Sequence, residues 1–428
     1  MLWIKNGRLV DPKSQTDKIC DICVERDRIA GITPAGTAEA KHQEQDVVID
    51  GAGLIVAPGL IDVHVHFRDP GFTYKEDVET GAAAAAAGGY TTVICMANTK
   101  PVVDNEETLR YLREKAEKMP VHVLNTAAIT KGFEGRELTD MIGLKALGAV
   151  GFTDDGVPIK DTAVVLEAMK MAKALDVPLS FHEEDPALIG SFGVNQGPVS
   201  VAVGVEGAPA AAEDVLVARD CALALNSGAA VNIQHISSKN SVDIVRAMKA
   251  LGGRIYAEAT PQHFSLTEEA VLEKGTLAKV NPPIRTEADR EAIIQGLKDG
   301  TIDFIATDHA PHSSEEKAKD MKSAPSGMIG LETALALAIT HLVKPGHMSL
   351  SHLLEKLTTN PADLYHLDAG YIAVGGKADM VVFSEDESWT VESFRSKSSN
   401  SPFIGEKLQG KVKYTICNGK IVYSDSEI

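Results

Sequence analysis

The sequence has no long hydrophobic run and a shortage of basic residues. Its 428 residues contain 42 Lys and Arg against 60 Asp and Glu, which gives a net charge of −18. No apolar run approaches the ~20 residues needed to span a bilayer, so we expect no membrane partner. The acidic balance argues against nucleic acid, because binding a phosphate backbone requires a basic patch. A small anionic substrate is still compatible with this charge, since a few local arginines can outweigh the overall field.

Cysteines are few, and their number is odd. The five are scattered along the chain, a pattern typical of reduced thiols in a cytoplasmic protein rather than of a disulfide framework. Cys20 and Cys23 have CxxC spacing, but no second pair follows. In a strand they would point to opposite faces, so we interpret both as packing residues. Residues 1–6 turn polar at once, and we therefore expect no secretory signal.

Both ends of the chain are rich in β-prone runs. Residues 1–52 and 368–428 indicate short strands and turns, including a hairpin pair at Asn418 and Gly419. We predict that the two ends together build one small β-sandwich domain. The middle, residues 53–367, is predicted to form a separate and larger domain.

The middle alternates β-prone runs with helical segments. Eight strand candidates are interleaved with predicted helices that include residues 105–118, 162–175, 211–226, 241–251 and 286–298. This alternation favours an α/β fold with a parallel sheet, and eight repeats favour a TIM-type (β/α)8 barrel. A doubly wound open sheet is the alternative, but no GxGxxG turn supports a nucleotide-binding fold.

The apolar run at residues 53–61 leads into Asp62-Val63-His64-Val65-His66. Residues i and i+2 of a strand point to the same face, so His64 and His66 should project side by side. Two adjacent neutral imidazoles are half of a zinc-type ligand set. An isolated His-x-His is a weak signal, since one ring could cap the strand and the other face solvent.

The other predicted strands strengthen the metal interpretation, because nearly all of them end on His, Asp or Asn. In a TIM barrel the carboxyl ends of all strands converge on one mouth, where active sites lie. The predicted metal ligands are His64, His66, Asp155 (with Asp154 beside it), His182, His235 and Asp308. Four imidazoles and two carboxylates suit one or two divalent ions, and Zn²⁺ is the expected cofactor.

Several motifs together resemble one family. They are residues 64–71 (HVHFRDPG), 96–99 (MANT), 151–156 (GFTDDG), 281–285 (NPPIR), 306–312 (ATDHAPH) and 359–362 (TNPA). This set is similar to that of the dihydroorotases of the bacterial type, in which an aspartate bridges two metals. The family belongs to the amidohydrolase superfamily, and the resemblance covers essentially the whole chain.

The resemblance implies residue roles. His64 and His66 would bind one metal, His182 and His235 the other, and Asp155 rather than its neighbour Asp154 would bridge them. Asp308 would bind the first metal and act as general acid/base. The implied substrate contacts are His66, Arg68, Asn98, Asn281, His312, Ser326 and Gly327.

The implied activity is the reversible hydrolysis of (S)-dihydroorotate to N-carbamoyl-L-aspartate, a step of de novo pyrimidine (UMP) biosynthesis. The resemblance also implies a homodimer and an association with aspartate carbamoyltransferase.

The predicted residues suit the chemistry of this reaction. Hydrolysing a cyclic amide needs a hydroxide at neutral pH, and zinc lowers the pKa of a bound water from 15.7 to about 7. Asp308 can move the proton to the leaving nitrogen, and the planar fork of Arg68 suits the substrate carboxylate.

Two alternatives stay open. A hydantoinase or allantoinase of the same superfamily typically carries a carbamylated lysine at the end of the fourth strand, where this chain has Asp154-Asp155. A non-catalytic partner of a carbamoyltransferase would be expected to lose metal ligands. Three residues depart from the family pattern, namely Glu183, Gln262 and Ser326. The long connection at residues 308–327 is expected to be a lid that closes on substrate.

Overall fold

The computed structural model describes residues 1–425. In chain order the strands of this part are β1 (Leu2–Asp11), β2 (Thr16–Glu25), β3 (Arg28–Pro34), β4 (Val47–Asp50), β5 (Ile55–Pro58), β6 (Leu60–Val65), β7 (Tyr90–Cys95), β8 (His122–Asn125), β9 (Phe152–Thr153), β10 (Leu179–Phe181), β11 (Val231–Ile233), β12 (Ile255–Ala259), β13 (Phe304–Ile305), β14 (Met380–Thr390), β15 (Lys407–Cys417) and β16 (Lys420–Ser424).

The α-helices of the same part are α1 (Thr37–Lys41), α2 (Val78–Ala87), α3 (Glu106–Ala116), α4 (Met141–Ala146), α5 (Thr162–Leu175), α6 (Pro198–Ala202), α7 (Ala210–Ser227), α8 (Lys239–Ala250), α9 (Pro261–Ser265), α10 (Ala270–Lys274), α11 (Glu287–Asp299), α12 (Ser314–Lys317), α13 (Ala334–Ala338), α14 (Leu350–Leu357) and α15 (Thr359–Leu364). Short 3-10 helices occur at Lys131–Phe133 and Gly275–Ala278, and a π-helical turn at Ile339–Val343.

Strands from both ends of the chain pair in one sheet. Its order is β16-β15-β14-β5-β1-β2-β3, with β4 beside β1. The antiparallel pair β14 and β5 joins the C-terminal strands to the N-terminal ones, and Val382 lies opposite Val56 there, both fully buried. The predicted packing roles of Cys20 and Cys23 are confirmed, since Cys20 lies in one apolar cluster and Cys23 in another. The two-layer sandwich stays a prediction.

The predicted α/β alternation of the middle segment is confirmed. Strands β6, β7 and β8 form one parallel sheet, and β13-β12-β11-β10-β9 form a second. Isolated parallel bridges join Val65 of β6 to His309, and Ala127 to Phe152 of β9. The carboxyl ends of the parallel strands within each sheet therefore face the same way.

The five predicted helices are present as α3, α5, α7, α8 and α11, with ends that agree to within two residues. Side chains at their starts explain why the helices begin where they do. Asn105 and Ser238 accept hydrogen bonds from backbone N–H groups of the first turns of α3 and α8, and Thr286 and Asp289 form a capping box on α11. Gly300, with φ of 80°, then ends α11.

The alanine-rich helix α2 packs closely under the loop that follows β6. A Cβ atom added at Gly81 would lie 2.4 Å from the ring of Phe67, so only a glycine fits. Asp77 caps this helix through its side chain. The small side chains of α2 thus bring the residues that follow β6 close to the body of the domain. No helix of residues 1–425 has the length and apolar character needed to cross a membrane.

Two buried tyrosines test how much a hydrogen-bond partner for a buried hydroxyl contributes to the stability of this core. The hydroxyl of Tyr90 is buried without a hydrogen-bond partner among the described residues, whereas that of Tyr365 lies 3.0 Å from the Ser180 hydroxyl. Because a buried, unpaired polar group is costly, we expect Tyr90→Phe to keep or raise the free energy of unfolding, by up to about 1 kcal/mol. Tyr365→Phe should lower it by about 1 kcal/mol. Urea denaturation of both variants measures this, and an equal loss of stability in the two would contradict it.

Candidate active site

The six predicted metal ligands lie at the carboxyl ends of parallel strands. His64 is the penultimate residue of β6, and the others follow within three residues of the ends of their strands: His66 after β6, Asp155 after β9, His182 after β10, His235 after β11 and Asp308 after β13. All six are buried. The structure brings them into one cluster, which we call the six-donor cluster.

One half of the cluster contains His64, His66 and Asp308. Nε2 of His66 lies 2.9 Å from Oδ1 of Asp308, and Nε2 of His64 lies 3.5 Å from the same oxygen. One ligand atom from each of the three residues falls within 4.8 Å of the other two. This spacing suits three ligands of one ion.

The other half contains Asp155, His182 and His235. Nδ1 of His182 lies 2.9 Å from Nε2 of His235 and 3.8 Å from Oδ1 of Asp155. The second carboxylate oxygen of Asp155 lies 3.6 Å from Nε2 of His66. Asp155 therefore lies between the two halves of the cluster.

Its neighbour Asp154 points elsewhere. Its carboxylate accepts hydrogen bonds from the amides of Ile129 and Thr130, at 2.8 and 3.0 Å, and from the Thr130 hydroxyl. Burial raises the pKa of Asp154 to about 6. The structure thus separates two residues that are adjacent and identical in the sequence.

Two carboxylates that sequence reasoning missed hold the rings. Oε1 of Glu258 lies 2.5 Å from Nδ1 of His64 and also accepts the backbone N–H of His235. Oε2 of Glu184 lies 3.0 Å from Nε2 of His182. A carboxylate on the far nitrogen of a histidine fixes its tautomer and orientation. The available signal for Glu258 was a charged residue inside an otherwise apolar strand.

The pKa values follow from burial and from these neighbours. Burial alone would lower the pKa of His64, but the carboxylates of Glu258 and Asp155 hold it well above its ordinary value. For His235, burial and the nearby rings of His182 and His64 lower the pKa well below that value. Burial would raise the pKa of Asp155, but His64 and the neighbouring imidazoles keep it far below its usual range. The cluster thus combines an ionised carboxylate with crowded imidazoles.

The donor set fits a divalent metal. Nε2 of His64, which lies 3.5 Å from Oδ1 of both Asp155 and Asp308, is buried without a hydrogen-bond partner among residues 1–425, although an unpaired buried polar atom is costly. Imidazole nitrogen and carboxylate oxygen are the ligand types that zinc and similar ions prefer. An ion within the cluster would satisfy this atom and offset the crowding of the rings.

The backbone is strained at two of the six donors and at Arg68, which follows the same strand as His66. Arg68, His235 and Asp308 have φ values of 58°, 30° and 49°, in a region that residues other than glycine rarely adopt. Such conformations cost about 1–3 kcal/mol each and occur preferentially at functional sites. All three residues follow strands whose carboxyl ends lie at the cluster. This placement supports a functional role for the region.

Beside the cluster lies a cationic pocket wall. Nη2 of Arg68 lies 3.5 Å from Nε2 of His312, whose other nitrogen lies 3.3 Å from the ammonium of Lys75. Nε2 of His312 donates to the carbonyl of Ser326 at 2.9 Å, which leaves Nδ1 to accept from Lys75. Burial and the charges of Arg68 and Lys75 lower the pKa of His312 to about 2. Lys75 is a further residue that sequence reasoning missed.

Ser326 and Gly327 border the same wall. A Cβ atom added at Gly327, which has φ of 130°, would lie 2.8 Å from Cβ of Ala310 and 3.0 Å from Nε2 of His312. A glycine is therefore required for this close approach.

Two predicted substrate residues have other surroundings. Asn98 bonds the donors themselves, with its Oδ1 2.9 Å from Nδ1 of His66 and its Nδ2 donating to Asp155 at 2.8 Å. Oδ1 of Asn281 is buried and unpaired, and in the described part of the chain no hydrogen bond or ion pair joins Asn281 to the six-donor cluster.

Two lysines, Lys317 within the connection at residues 308–327 and Lys279 outside it, hold the backbone of this connection. The ammonium of Lys317 donates to the carbonyls of Pro325 and Gly327, both at 3.0 Å. That of Lys279 donates to the carbonyls of Met321 and Ala324, both at 2.7 Å. These contacts hold the second half of the connection in place, and closure on substrate stays a prediction.

Comparison with known proteins agrees with this geometry. The profile of the family described as "Dihydro-orotase-like" matches residues 53–241. A dihydroorotase of Clostridioides difficile (strain 630) is 59% identical over 424 residues, which cover 99% of this chain and 100% of the relative. A dihydroorotase of Lactococcus lactis subsp. lactis (strain IL1403) is 52% identical, with 99% of each chain covered.

Solved structures share the fold. The L-hydantoinase (dihydropyrimidinase) of Arthrobacter aurescens has a TM-score of 0.87 and 25% identity, covering 100% of this chain and 97% of that one. The dihydropyrimidinase of Brevibacillus agri NCHU1002 has a TM-score of 0.85 at 22% identity, covering 100% and 95%, and shows the fold alone.

Fold and relatives together define the class of protein. The chain is a cyclic amidohydrolase, a hydrolase acting on C–N bonds of cyclic amides. Within that class it belongs to the dihydroorotase family.

Removing the carboxylate behind His64 tests how the cluster is held. We expect Glu258→Gln to lower affinity for the divalent ion by about 10–100-fold, because the ring loses its charged partner. Competition with a chelator, followed by metal analysis, measures this. Glu268→Gln is the matched control, since Glu268 is also buried but bonds Asn195 instead of a donor. Equal affinity in the two variants would contradict the role of Glu258.

Proposed function

We propose that this chain hydrolyses (S)-dihydroorotate reversibly to N-carbamoyl-L-aspartate, the dihydroorotase step of de novo pyrimidine (UMP) biosynthesis. The observation that carries the proposal is the six-donor cluster, which lies at the strand ends of a chain that matches dihydroorotases over 99% of its length. The cationic wall beside the cluster suits an anionic substrate.

The proposed cofactor is Zn²⁺, with two ions per subunit favoured. His64, His66 and Asp308 would hold the first, and His182 and His235 the second, with Asp155 between them. When bound, such ions supply a nucleophilic water at neutral pH and polarise the ring carbonyl. The unpaired Nε2 of His64 supports this assignment.

Asp308 is the proposed general acid/base. Its side chain is 11% exposed. This is a larger exposed fraction than that of the His64, His66, Asp155 or His182 side chain. It therefore borders the space that a substrate would enter. Its carboxylate would take a proton from the attacking water and deliver that proton to the ring nitrogen as the C–N bond breaks.

Arg68 is the proposed anchor of the substrate carboxylate. Its guanidinium, which lies near the cluster, presents a planar fork that matches a carboxylate. His312 would contact the substrate as a neutral ring, and Ser326 and Gly327 would shape the same wall. His66, Asn98 and Asn281 complete the proposed contacts, and Asn98 links them directly to the donors.

A hydantoinase-type activity is the alternative, because the solved structures that share the fold include hydantoinases. The strand β9, the fourth of the parallel strands, argues against this activity. It is followed by Asp154 and Asp155, where a hydantoinase would be expected to carry a carbamylated lysine. A non-catalytic role is disfavoured because all six donors are present and gathered.

Further parts of the proposal concern organisation. We propose a closed (β/α)8 barrel for residues 53–367, supported by the two isolated bridges between the edges of the sheets. The two chain ends, residues 1–52 and 368–428, would form the β-sandwich, with β5 at the junction. A cytoplasmic location is supported by five free, buried cysteines. A homodimer and an association with aspartate carbamoyltransferase rest on the family resemblance alone.

Substitution of the general acid/base tests the mechanism. Asp308→Asn should lower turnover of dihydroorotate by about 10²–10⁴-fold, because proton transfer loses its carboxylate. The circular dichroism spectrum should be unchanged. Asp243→Asn, on the exposed face of α8, is the control. Near-normal turnover by Asp308→Asn would refute the assignment.

Specificity tests the anchor. Arg68→Met should lower kcat/KM for dihydroorotate by about 10–150-fold, the loss of a charged hydrogen bond worth roughly 1.5–3 kcal/mol. Turnover of dihydrouracil, which lacks the carboxylate, should change much less. Parallel ultraviolet assays on both substrates measure the ratio. If both rates fell equally, Arg68 would not be the carboxylate anchor.

A further inference from the structure

A second cluster of metal-type donors lies at the opposite end of the parallel strands from the active site. His122 begins β8, Asp379 immediately precedes β14, and Cys417 ends β15. Nε2 of His122 lies 2.9 Å from Oδ2 of Asp379. One donor atom from each residue, including the Cys417 sulfur, lies within 4.8 Å of the other two. Because β8 starts here, this cluster faces the amino ends of the parallel strands, opposite the six-donor cluster.

We propose that His122, Asp379 and Cys417 form a separate divalent metal site that takes a thiophilic ion of the zinc type. The three side chains supply nitrogen, oxygen and sulfur, the ligand types zinc uses in proteins. A thiolate and a carboxylate together carry two negative charges, and a neutral imidazole adds none. The bound site would therefore be electrically balanced, which reduces the cost of burying it.

The surroundings pre-organise one of the ligands, Asp379. Oδ1 of Asp379 accepts the backbone N–H of Asn418 at 2.7 Å, which leaves Oδ2 turned toward His122. The backbone carbonyl of Asp379 accepts from Gly59 at 3.0 Å, which fixes the main chain there. The Cys417 sulfur lies 3.8 Å from the carbonyl of Thr91 and also interacts with the Asp379 carboxylate and the backbone of His122. The sulfur is therefore already beside the other two proposed ligands.

An ion could reach this site and complete its coordination. Cys417 is 1% exposed, but the His122 ring is 27% exposed and lines a cavity of about 240 Å³ together with Asn418 and Gly148. Zinc is usually four-coordinate, so water from this cavity would supply the fourth ligand. Burial and the carboxylate of Asp379 raise the pKa of the Cys417 thiol, and uptake of the ion must therefore displace a proton.

The site would join the terminal sheet to the parallel strands, because β14 and β15 belong to the former and β8 to the latter. An ion there would stabilise the folded chain by mass action and would not touch reacting atoms. The inference is independent of the proposed reaction. A plain His–Asp ion pair beside a packed cysteine is the competing interpretation, and it predicts no sulfur–metal bond.

Cobalt distinguishes the two interpretations. The full-length chain, exchanged into Co²⁺, should show a saturable near-ultraviolet thiolate-to-Co²⁺ charge-transfer band. The six-donor cluster contains no sulfur and cannot produce it. Cys417→Ser should abolish the band and leave dihydroorotate turnover unchanged. Cys221→Ser, which removes another buried thiol outside any donor group described in residues 1–425, should keep it.

A second variant guards against a folding defect in Cys417→Ser. His122→Gln alters the most exposed of the three ligands. It should raise the Co²⁺ concentration at which the band is half-saturated by about tenfold or more. Its circular dichroism spectrum should match that of the parent chain. Absence of the band in the parent chain, or its survival in Cys417→Ser, would overturn the proposal.

Discussion

The burial of four imidazoles and two carboxylates within a few ångströms of one another is the constraint on which the rest of the site depends. In water these groups would be solvated separately, whereas here they share one buried space. Nε2 of His64 has no hydrogen-bond partner among residues 1–425, so a cation is the natural complement. Strained backbone at His235 and Asp308, and carboxylates behind His64 and His182, hold the rings in place without that cation.

The two ends of the parallel strands serve different purposes. The carboxyl ends hold the six-donor cluster and the cationic wall beside it. The amino end of β8 meets the terminal sheet through His122 and Asp379, where contacts join two parts of the chain. This division follows from parallel strands, since only one edge of such a sheet gathers the loops that follow the strands.

Much of this site was predictable, because strand patterns place the residue after each strand at one rim. The alternation of strands and helices located His182, His235 and Asp308 without knowledge of any contact. Glu258 was missed because its partner His64 is 194 residues away, and local patterns carry no information at that distance. Choosing Asp155 over Asp154 likewise required the family register, since only three-dimensional contacts separate them. Lys75 was missed for the same reason as Glu258, because its partner His312 is 237 residues away.

We propose that the six-donor cluster binds metal ions. Anomalous X-ray scattering at the zinc absorption edge, from crystals of the purified chain grown with Zn²⁺, can locate such ions. We expect strong anomalous peaks bounded by His64, His66, Asp155, His182, His235 and Asp308. An absence of anomalous density among these side chains would contradict it.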